Sequence, residues 1–152
     1  MEQETQYSEQ EPERQTTKQT TTLAGVLDEI GRSKQKRTRV KGLKKFESFA
    51  LLSLLQGNFN ESITFPFPSG APPFEKNETL VEPTKNVISE LGDCTTRASG
   101  TRVAKERKFI TLLESLHFRD AELFCLMKDG ELETQYPWLT RELVSEAFPT
   151  LL

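Results

Sequence analysis

The densest concentration of chemically active side chains in this sequence is a run of cations between residues 32 and 45. These fourteen positions hold no acidic residue and eight basic ones: Arg32, Lys34, Lys36, Arg37, Arg39, Lys41, Lys44 and Lys45. Guanidinium and ammonium groups at that density can neutralise several phosphates of a nucleic acid, in binding that weakens steeply with salt and carries little sequence specificity. The competing interpretation is a solvated linker or helix face, which is the more common role of a charge run. The run also lacks interleaved aromatic side chains on which bases could stack.

A second group of cations lies at the start of the helix that we predict around residue 109. Its members are Arg97, Arg102, Lys105, Arg107 and Lys108. Positive charge at a helix start opposes the macrodipole by about 0.3–1 kcal/mol per charge, so these side chains could be kept for a phosphate or an acidic partner. We favour the alternative that Glu106 and Glu114 compensate them at helical spacing. The candidates for nucleic-acid contact in this group are Arg102, Lys105 and Lys108.

Aromatic residues stiffened by proline form a third candidate site. Phe65 and Phe67 alternate with two prolines, and Phe74 follows a Pro-Pro pair. Prolines reduce the entropy lost when a loop orders, which suits docking on a partner protein. We favour the alternative that these rings fold back to close a helical core, because ten phenylalanines in so short a chain need burial.

The C-terminal residues offer a similar choice. Phe148, Leu151 and Leu152 follow an acidic helix, and a short apolar terminus of this kind can insert into a groove on a partner protein. The alternative, which we prefer, is that Phe148 and Leu151 pack on the helix at 109–116. All six apolar residues are therefore candidates for partner docking.

The sequence lacks the motifs that are typical of catalytic and metal-binding sites. The single histidine, His117, has no nucleophile or carboxylate in a recognisable motif beside it, and the Ser-Gly-Thr segment at 99–101 lacks phosphate-loop spacing. Two cysteines, Cys94 and Cys125, lie 31 positions apart with no metal-binding pair. We predict no enzymatic activity, no cofactor, no metal and no small-molecule substrate, and a reducing compartment.

The elements that must position these groups are predicted to be helices. Apolar residues recur at helical spacing over 23–30, 46–55, 84–91, 109–116, 120–127 and 140–148. Thr22, Asp120 and Thr140 are the predicted N-caps, and Gly57 is predicted to end the central helix. The segment 59–83 has extended rather than helical spacing, which predicts a Pro/Phe-rich connection with room for one short hairpin.

The charge of the chain is unevenly distributed. The whole sequence has a net charge of −3, and all of it comes from residues 1–22, whose five glutamates outnumber two bases. This segment of mostly Gln, Glu and Thr predicts a disordered acidic arm, followed by one α-helical domain over 23–152. No apolar run is long enough to span a membrane and no secretory signal is evident, which predicts a cytoplasmic protein.

Several short motifs resemble a known family. They are Pro72-Pro73-Phe74, Arg107-Lys108-Phe109-Ile110-x-Leu112-Leu113-Glu114, Asp120-Ala121-Glu122-Leu123, Lys128-Asp129 and Leu139-Thr140-x-x-Leu143-Val144-x-Glu146-Ala147-Phe148-Pro149-x-Leu151. Together they resemble a family of small uncharacterised proteins of large contractile-tailed, myovirus-type bacteriophages, many of which infect marine bacteria. The resemblance covers residues 23–152 and is strongest from Arg102 onward. It implies a phage origin and expression in a bacterial cytoplasm, with no activity, cofactor or catalytic residue attached.

One region departs from the pattern of that family. Its members commonly carry Asn-Asp before the apolar helix and mixed charge ahead of it, whereas this chain is almost purely basic over 32–45. A nucleic-acid role for the run therefore depends on the residues of this chain alone.

The sequence predicts a mainly α fold, a compact bundle of five to six short helices with an extended Pro/Phe-rich connection and a disordered N-terminal arm. The function that we favour at this point is a non-enzymatic phage accessory protein, an adaptor or regulator that binds a phage or host protein in the cytoplasm of the infected bacterium. The first alternative is a nucleic-acid-binding accessory factor that uses the basic segments 32–45 and 97–108. The second is a minor structural component of the virion.

Overall fold

The computed structural model describes residues 22–152, and this part of the chain is mainly α-helical. Six helices have seven residues or more: α1 (Leu23–Gly31), α2 (Lys36–Lys45), α3 (Phe49–Phe59), α5 (Arg102–Glu114), α6 (Phe118–Lys128) and α8 (Arg141–Ala147). The others are the short helices α4 (Lys85–Ile88), which runs into a 3₁₀ helix (Ser89–Cys94), and α7 (Leu132–Gln135). No β-strand forms over 22–152, so the predicted helical fold is confirmed and the short hairpin is absent. The predicted acidic arm lies outside the described residues, except for Thr22.

Hydroxyl side chains begin five of the helices. Thr22 and Thr140 accept the backbone N–H groups of Gly25 and Leu143, which confirms both as N-caps. The same arrangement recurs at three further positions, Ser48, Thr84 and Thr101. Each cap satisfies a backbone donor that has no partner within its helix, and so fixes where the helix starts.

The central helix differs at both ends from its predicted span of 46–55. It begins three residues late, at Phe49, because Ser48 caps it and turns Phe46 out of the helix. At the other end the helix continues through Gly57 to Phe59. A Cβ atom on Gly57 would lie 2.4 Å from the sulfur of Met127, so this glycine lets α6 approach α3 closely and does not end the helix.

The prediction that Asp120 caps α6 is wrong. His117 takes that position, and its Nδ1 accepts the backbone N–H of Arg119 at 3.2 Å. Asp120 is fully buried, and its two carboxylate oxygens accept the N–H groups of Leu23 at 3.0 Å and Ala24 at 2.9 Å. Burial raises the pKa of Asp120, while the two N–H donors act in the opposite direction. Asp120 therefore caps the first turn of α1, from the other end of the sequence.

The core lies where α3, α5 and α6 pack together, and α2 packs on its outside against α1 and α8. Nine of its side chains are almost wholly inaccessible to solvent: Leu51, Leu54, Leu55, Phe109, Leu112, Leu113, Leu116, Leu123 and Phe124. This confirms the prediction that the segments 46–55 and 109–127 form the interior. None of the helices that the structure describes is long and apolar enough to cross a membrane.

An extended segment, residues 60–83, crosses the surface of α5 and α6, and we call it the strap. Hydrogen bonds tie it down along its length. They join Thr96 N to Thr64 O, Lys128 Nζ to Pro68 O, Gly70 N to Asp129 Oδ2, Glu75 N to Glu114 Oε2 and Phe118 N to Asn77 O, at 2.8 to 2.9 Å. The strap is therefore an integral layer of the fold, although it has no regular secondary structure.

Candidate nucleic-acid interface

Four cations of α2 share one outward face, which we call the basic face. Its members are Arg37, Lys41, Lys44 and Lys45, spaced at i, i+4, i+7 and i+8. Val40 and Leu43 are buried and turn the opposite side of the helix toward the core. At a rise of 1.5 Å per residue the basic face is about 12 Å long. The amphipathic pattern of α2 thus presents its charges together instead of spreading them around the helix.

The cations of the basic face are open to solvent. Arg37, Lys41, Lys44 and Lys45 are all exposed, as are Arg32 and Lys34 just before the helix. Lys36 pairs with Glu146 of α8 at 2.8 Å, and that hydrogen-bonded ion pair raises the pKa of Lys36. Among residues 22–152, no other member of the run 32–45 lies within ion-pair distance of an acid. The acidic side chains of the described fold therefore leave the basic face unneutralised.

The remaining member of the run, Arg39, turns toward a tryptophan. Its Nε donates to the carbonyl of Ser33 at 2.7 Å, and its guanidinium carbon lies 5.2 Å from the ring centroid of Trp138. The run 32–45 contains no aromatic residue of its own, and Trp138 is 99 positions further along the chain. Only the tertiary fold, through the packing of α2 against α8, brings the two together.

The second group of cations has a different environment. Lys105 is only 7% exposed and donates its Nζ to the carbonyl of Thr96 at 3.3 Å. Lys108 pairs with Asp93 at 3.2 Å, and this hydrogen-bonded ion pair raises the pKa of Lys108. Burial removes Lys105 from the predicted phosphate contacts, while Arg102 remains exposed. Lys108 ties α5 to the 3₁₀ helix and Lys105 ties it to the turn that follows, so the acids expected to compensate them, Glu106 and Glu114, are not their partners.

The six residues predicted to dock a partner all pack against the core. The rings of Phe65 and Phe67 lie 6.3 and 5.3 Å from the buried ring of Phe109. Phe74 and the three C-terminal residues, Phe148, Leu151 and Leu152, are also partly buried against the core. Gln56 donates to the carbonyl of Leu151 at 3.1 Å, which places the C-terminal turn beside α3. The structure supports the alternative interpretation, that these side chains close the domain, and the contact it shows for the C-terminal turn is with α3, whereas we predicted packing on the helix at 109–116.

An apolar groove that the sequence analysis did not find lies between α3 and the 3₁₀ helix. It has a volume of about 250 Å³, and Phe49 lies in its wall with 42% of its surface exposed. Met127 and Phe65 contribute further apolar wall. The sequence places these residues in three separate segments, so no local pattern could have indicated the groove.

The groups that could support catalysis have structural roles. His117 is half-buried and caps α6. Cys94 and Cys125 are buried free thiols, and burial raises the pKa of each to about 11, so neither is an activated thiolate. Over residues 22–152, no three His, Cys, Asp or Glu side chains lie together as a metal site.

The fold and its surface define a small, mainly helical protein with one cationic helix on its outside. A family model of unknown function, DUF6433, matches residues 26–134, and the chain belongs to that family. The match includes all of α2 and the strap, and it ends before Trp138. No curated protein and no solved structure matches the chain.

Proposed function

We propose that this protein is a non-enzymatic accessory factor that binds nucleic acid through the basic face of α2. The observation that carries the proposal is the arrangement of Arg37, Lys41, Lys44 and Lys45 on one exposed helix face. With no acid of the described fold in ion-pair contact with them, these cations are available to phosphates. Each phosphate that they neutralise releases condensed counterions, which drives the association.

The dimensions of the face define the kind of contact. A surface of about 12 Å covers roughly three phosphates of one strand at 3.4 Å of helix axis per phosphate. Exposed Lys and Arg side chains contact phosphates without reading base edges, so we expect binding to be weakly dependent on sequence. Arg32 and Lys34 extend the cationic surface beyond the helix start and give it a second segment of contact.

The biological setting follows from the sequence resemblance. The motifs from Pro72 to Leu151 support assignment to large contractile-tailed phages, and hence action in the cytoplasm of an infected bacterium. An accessory protein there meets phage DNA and RNA at high concentration. Weak, sequence-independent binding would be sufficient to keep it on them.

The test compares two variants with equal loss of charge. In the first, Arg37, Lys41, Lys44 and Lys45 of the basic face are replaced by Gln. In the second, which serves as the matched control, the four replaced residues are Lys76, Lys85, Arg97 and Arg107, which are exposed and are not among the candidate contacts. We expect the native chain and the control to be retained on immobilised DNA at low salt and released by about 0.2 M salt, and the basic-face variant to flow through. Equal retention of both variants would contradict the proposal.

A protein–protein adaptor is the second candidate function, favoured by the apolar groove and its exposed Phe49. The groove fits an apolar side chain of a phage or host protein, and the basic face plays no part in this alternative. Capture from infected cells should then recover one partner at stoichiometric level, lost with Phe49→Ser and kept with the control Leu80→Ser, since Leu80 is also exposed. If the protein is instead a minor virion component, mass spectrometry of purified particles will detect it.

A further inference from the structure

A pocket lies at the N-terminal end of α2, where this helix meets the start of α8. Its volume is about 270 Å³. Three cations line it, together with an indole ring, a hydroxyl, one carboxylate and one apolar side chain: Lys34, Lys36, Arg39, Trp138, Thr140, Glu142 and Leu143. The two segments that form it are about a hundred positions apart, so the site exists only in the folded chain.

Arg39 is held in place at this pocket by two contacts. Its Nε donates to the carbonyl of Ser33 at 2.7 Å, and its guanidinium lies over the ring of Trp138 at 5.2 Å. Within residues 22–152, its two terminal nitrogens make no hydrogen bond. A guanidinium that is fixed through Nε and stacked on a ring keeps its remaining donors for a ligand, and it loses little further entropy on binding.

The indole that supports Arg39 is itself fixed. A Cβ atom on Gly31 would lie 2.6 Å from Nε1 of Trp138, so α1 approaches the ring more closely than any residue with a side chain would allow. Tyr136 lies edge-on to the same ring, with 6.0 Å between centroids. The wall of the pocket is therefore rigid before any ligand arrives.

We propose that this pocket binds a phosphate group. Arg39 supplies planar, preorganised donors, and Lys34 and Lys36 supply mobile positive charge, against two carboxylates, Glu142 in the lining and Glu146 on Lys36. Lys36 is paired with Glu146, so an entering phosphate competes with that carboxylate for the ammonium. The proposal extends the proposed function, because it adds a second phosphate contact on α2, but it rests on different side chains on another side of the helix. The phosphate could belong to the backbone of a nucleic acid or to its 5′ end.

The experiment uses the only tryptophan of the chain, which stands in the pocket wall. The fluorescence of the full chain is titrated with inorganic phosphate, then with a short oligothymidylate that carries a 5′-phosphate or a 5′-hydroxyl. We expect a saturable change with inorganic phosphate. An equal response to both oligonucleotides identifies a backbone phosphate, whereas a response only to the 5′-phosphorylated one identifies a terminal phosphate.

Three substitutions separate a phosphate site from a purely structural cluster. Arg39→Gln should weaken the response by about tenfold or more, as expected for the loss of a charge-assisted hydrogen bond. Lys34→Gln should weaken it less, and it leaves the contact between Arg39 and Trp138 intact, so its effect cannot come from a disturbed indole. Glu142→Gln should strengthen binding by removing the opposing charge. The control is Arg107→Gln, an exposed cation of α5.

The outcomes distinguish this pocket from the basic face. A chain that is retained on DNA but shows no saturable response of Trp138 overturns the phosphate pocket and leaves the proposed function standing. A chain that responds to inorganic phosphate but is not retained on DNA overturns the proposed function and leaves the phosphate pocket standing. The pocket proposal is also overturned if Arg39→Gln and Lys34→Gln both respond to phosphate as the native chain does.

Discussion

Two regions of this protein are similarly rich in cations and use them in opposite ways. In α2 four of the six positive groups point outward, and Lys36 is the one ion-paired member among the described residues. At the start of α5, Lys105 is buried against the carbonyl of Thr96, and Lys108 pairs with Asp93. The first region leaves most of its charge for other molecules, and the second uses its lysines to hold α5 to the 3₁₀ helix and to the turn that follows it.

The difference shows that the partner of a lysine, rather than its charge, decides its role. A buried lysine whose ammonium donates to a backbone carbonyl in a partly buried hydrogen bond contributes to stability, and its removal takes that donor away. An ammonium on an open helix face contributes little to stability and repels its neighbours. Removing cations should therefore affect the two regions with opposite signs, and the following predictions test this from the largest expected effect to the smallest.

The largest effect should come from Lys128 of α6, a cation outside the two regions whose side chain is almost wholly buried. Its side chain is 2% exposed, and its ammonium donates to Pro68 O and to Asp129 Oδ1, each at 2.8 Å. Lys128→Met should lower the free energy of unfolding by about 3 kcal/mol, because it leaves a half-buried carboxylate unpaired and releases the strap. Urea denaturation measures this loss. The control is the substitution of an exposed lysine, Lys76→Met, with an expected change within about 0.5 kcal/mol. Equal losses in both variants would show that the contacts of Lys128 with Pro68 and Asp129 do not stabilise the fold.

Lys105 should show the same behaviour at a smaller scale. Replacement by Met keeps the buried stem but removes the donor to Thr96 O, and we expect a loss of about 1–2 kcal/mol in the free energy of unfolding. The matching substitution on the basic face, Lys41→Met, should change it by less than about 0.5 kcal/mol. If Lys41→Met were the more damaging of the two, the contrast between the regions would be wrong. Both values follow from chemical denaturation of the single variants.

Neutralising the basic face should stabilise the protein. Lys41 has a like-charged neighbour at helical spacing in each of Arg37, Lys44 and Lys45. Each of these pairs lowers the stability of the helix by about 0.2–0.5 kcal/mol. The variant with all four residues replaced by Gln should unfold at a higher temperature than the native chain at low salt. Because salt screens the repulsion, the gain should disappear at high ionic strength. A destabilised variant would mean that these cations have stabilising partners.

The smallest effect concerns pH and Lys108. The ion pair with Asp93 raises the pKa of Lys108 above its ordinary value of 10.5. A lysine with a raised pKa in the folded state contributes stability below the unfolded pKa, and that contribution is lost as the pH rises through the folded pKa. Native protein should therefore be slightly more stable than Lys108→Gln near neutral pH, and the two should converge above pH 10.5. Thermal unfolding across this range tests the convergence, and a constant difference would exclude the ion pair as its source.

Patterns in the sequence predicted those features of the fold that depend on interactions between residues close together in the chain. The apolar spacing of Phe109, Leu112 and Leu113 identifies α5, and the hydroxyls of Thr22 and Thr140 identify two helix starts. These features need only neighbours within a few residues. The mainly helical fold and the position of its core follow from them.

Contacts between distant segments decide the rest. From the local sequence, Gly57 is expected to end a helix and Asp120 to cap one. In the fold, Gly57 instead makes room for Met127, and Asp120 instead caps α1. In the same way, the pocket beside Arg39 needs Trp138, and the burial of Lys105 needs the turn at Thr96. No rule of sequence spacing connects the members of these pairs. The sequence therefore predicted that the candidate site carries positive charge, but not the contacts that build it.

The cap that Asp120 provides for α1 also has a consequence for the order in which the chain is made. The donors at Leu23 and Ala24 lie 97 and 96 residues ahead of the carboxylate that accepts them. A ribosome releases the first helix several seconds before residue 120, at about 5–20 residues per second. During that interval we expect Thr22 to be the only side-chain cap of the nascent α1 and the apolar stripe of this helix to be uncovered. Completion of the fold is thereby delayed until most of the polypeptide has emerged, and premature termination before residue 120 leaves a product without this cap.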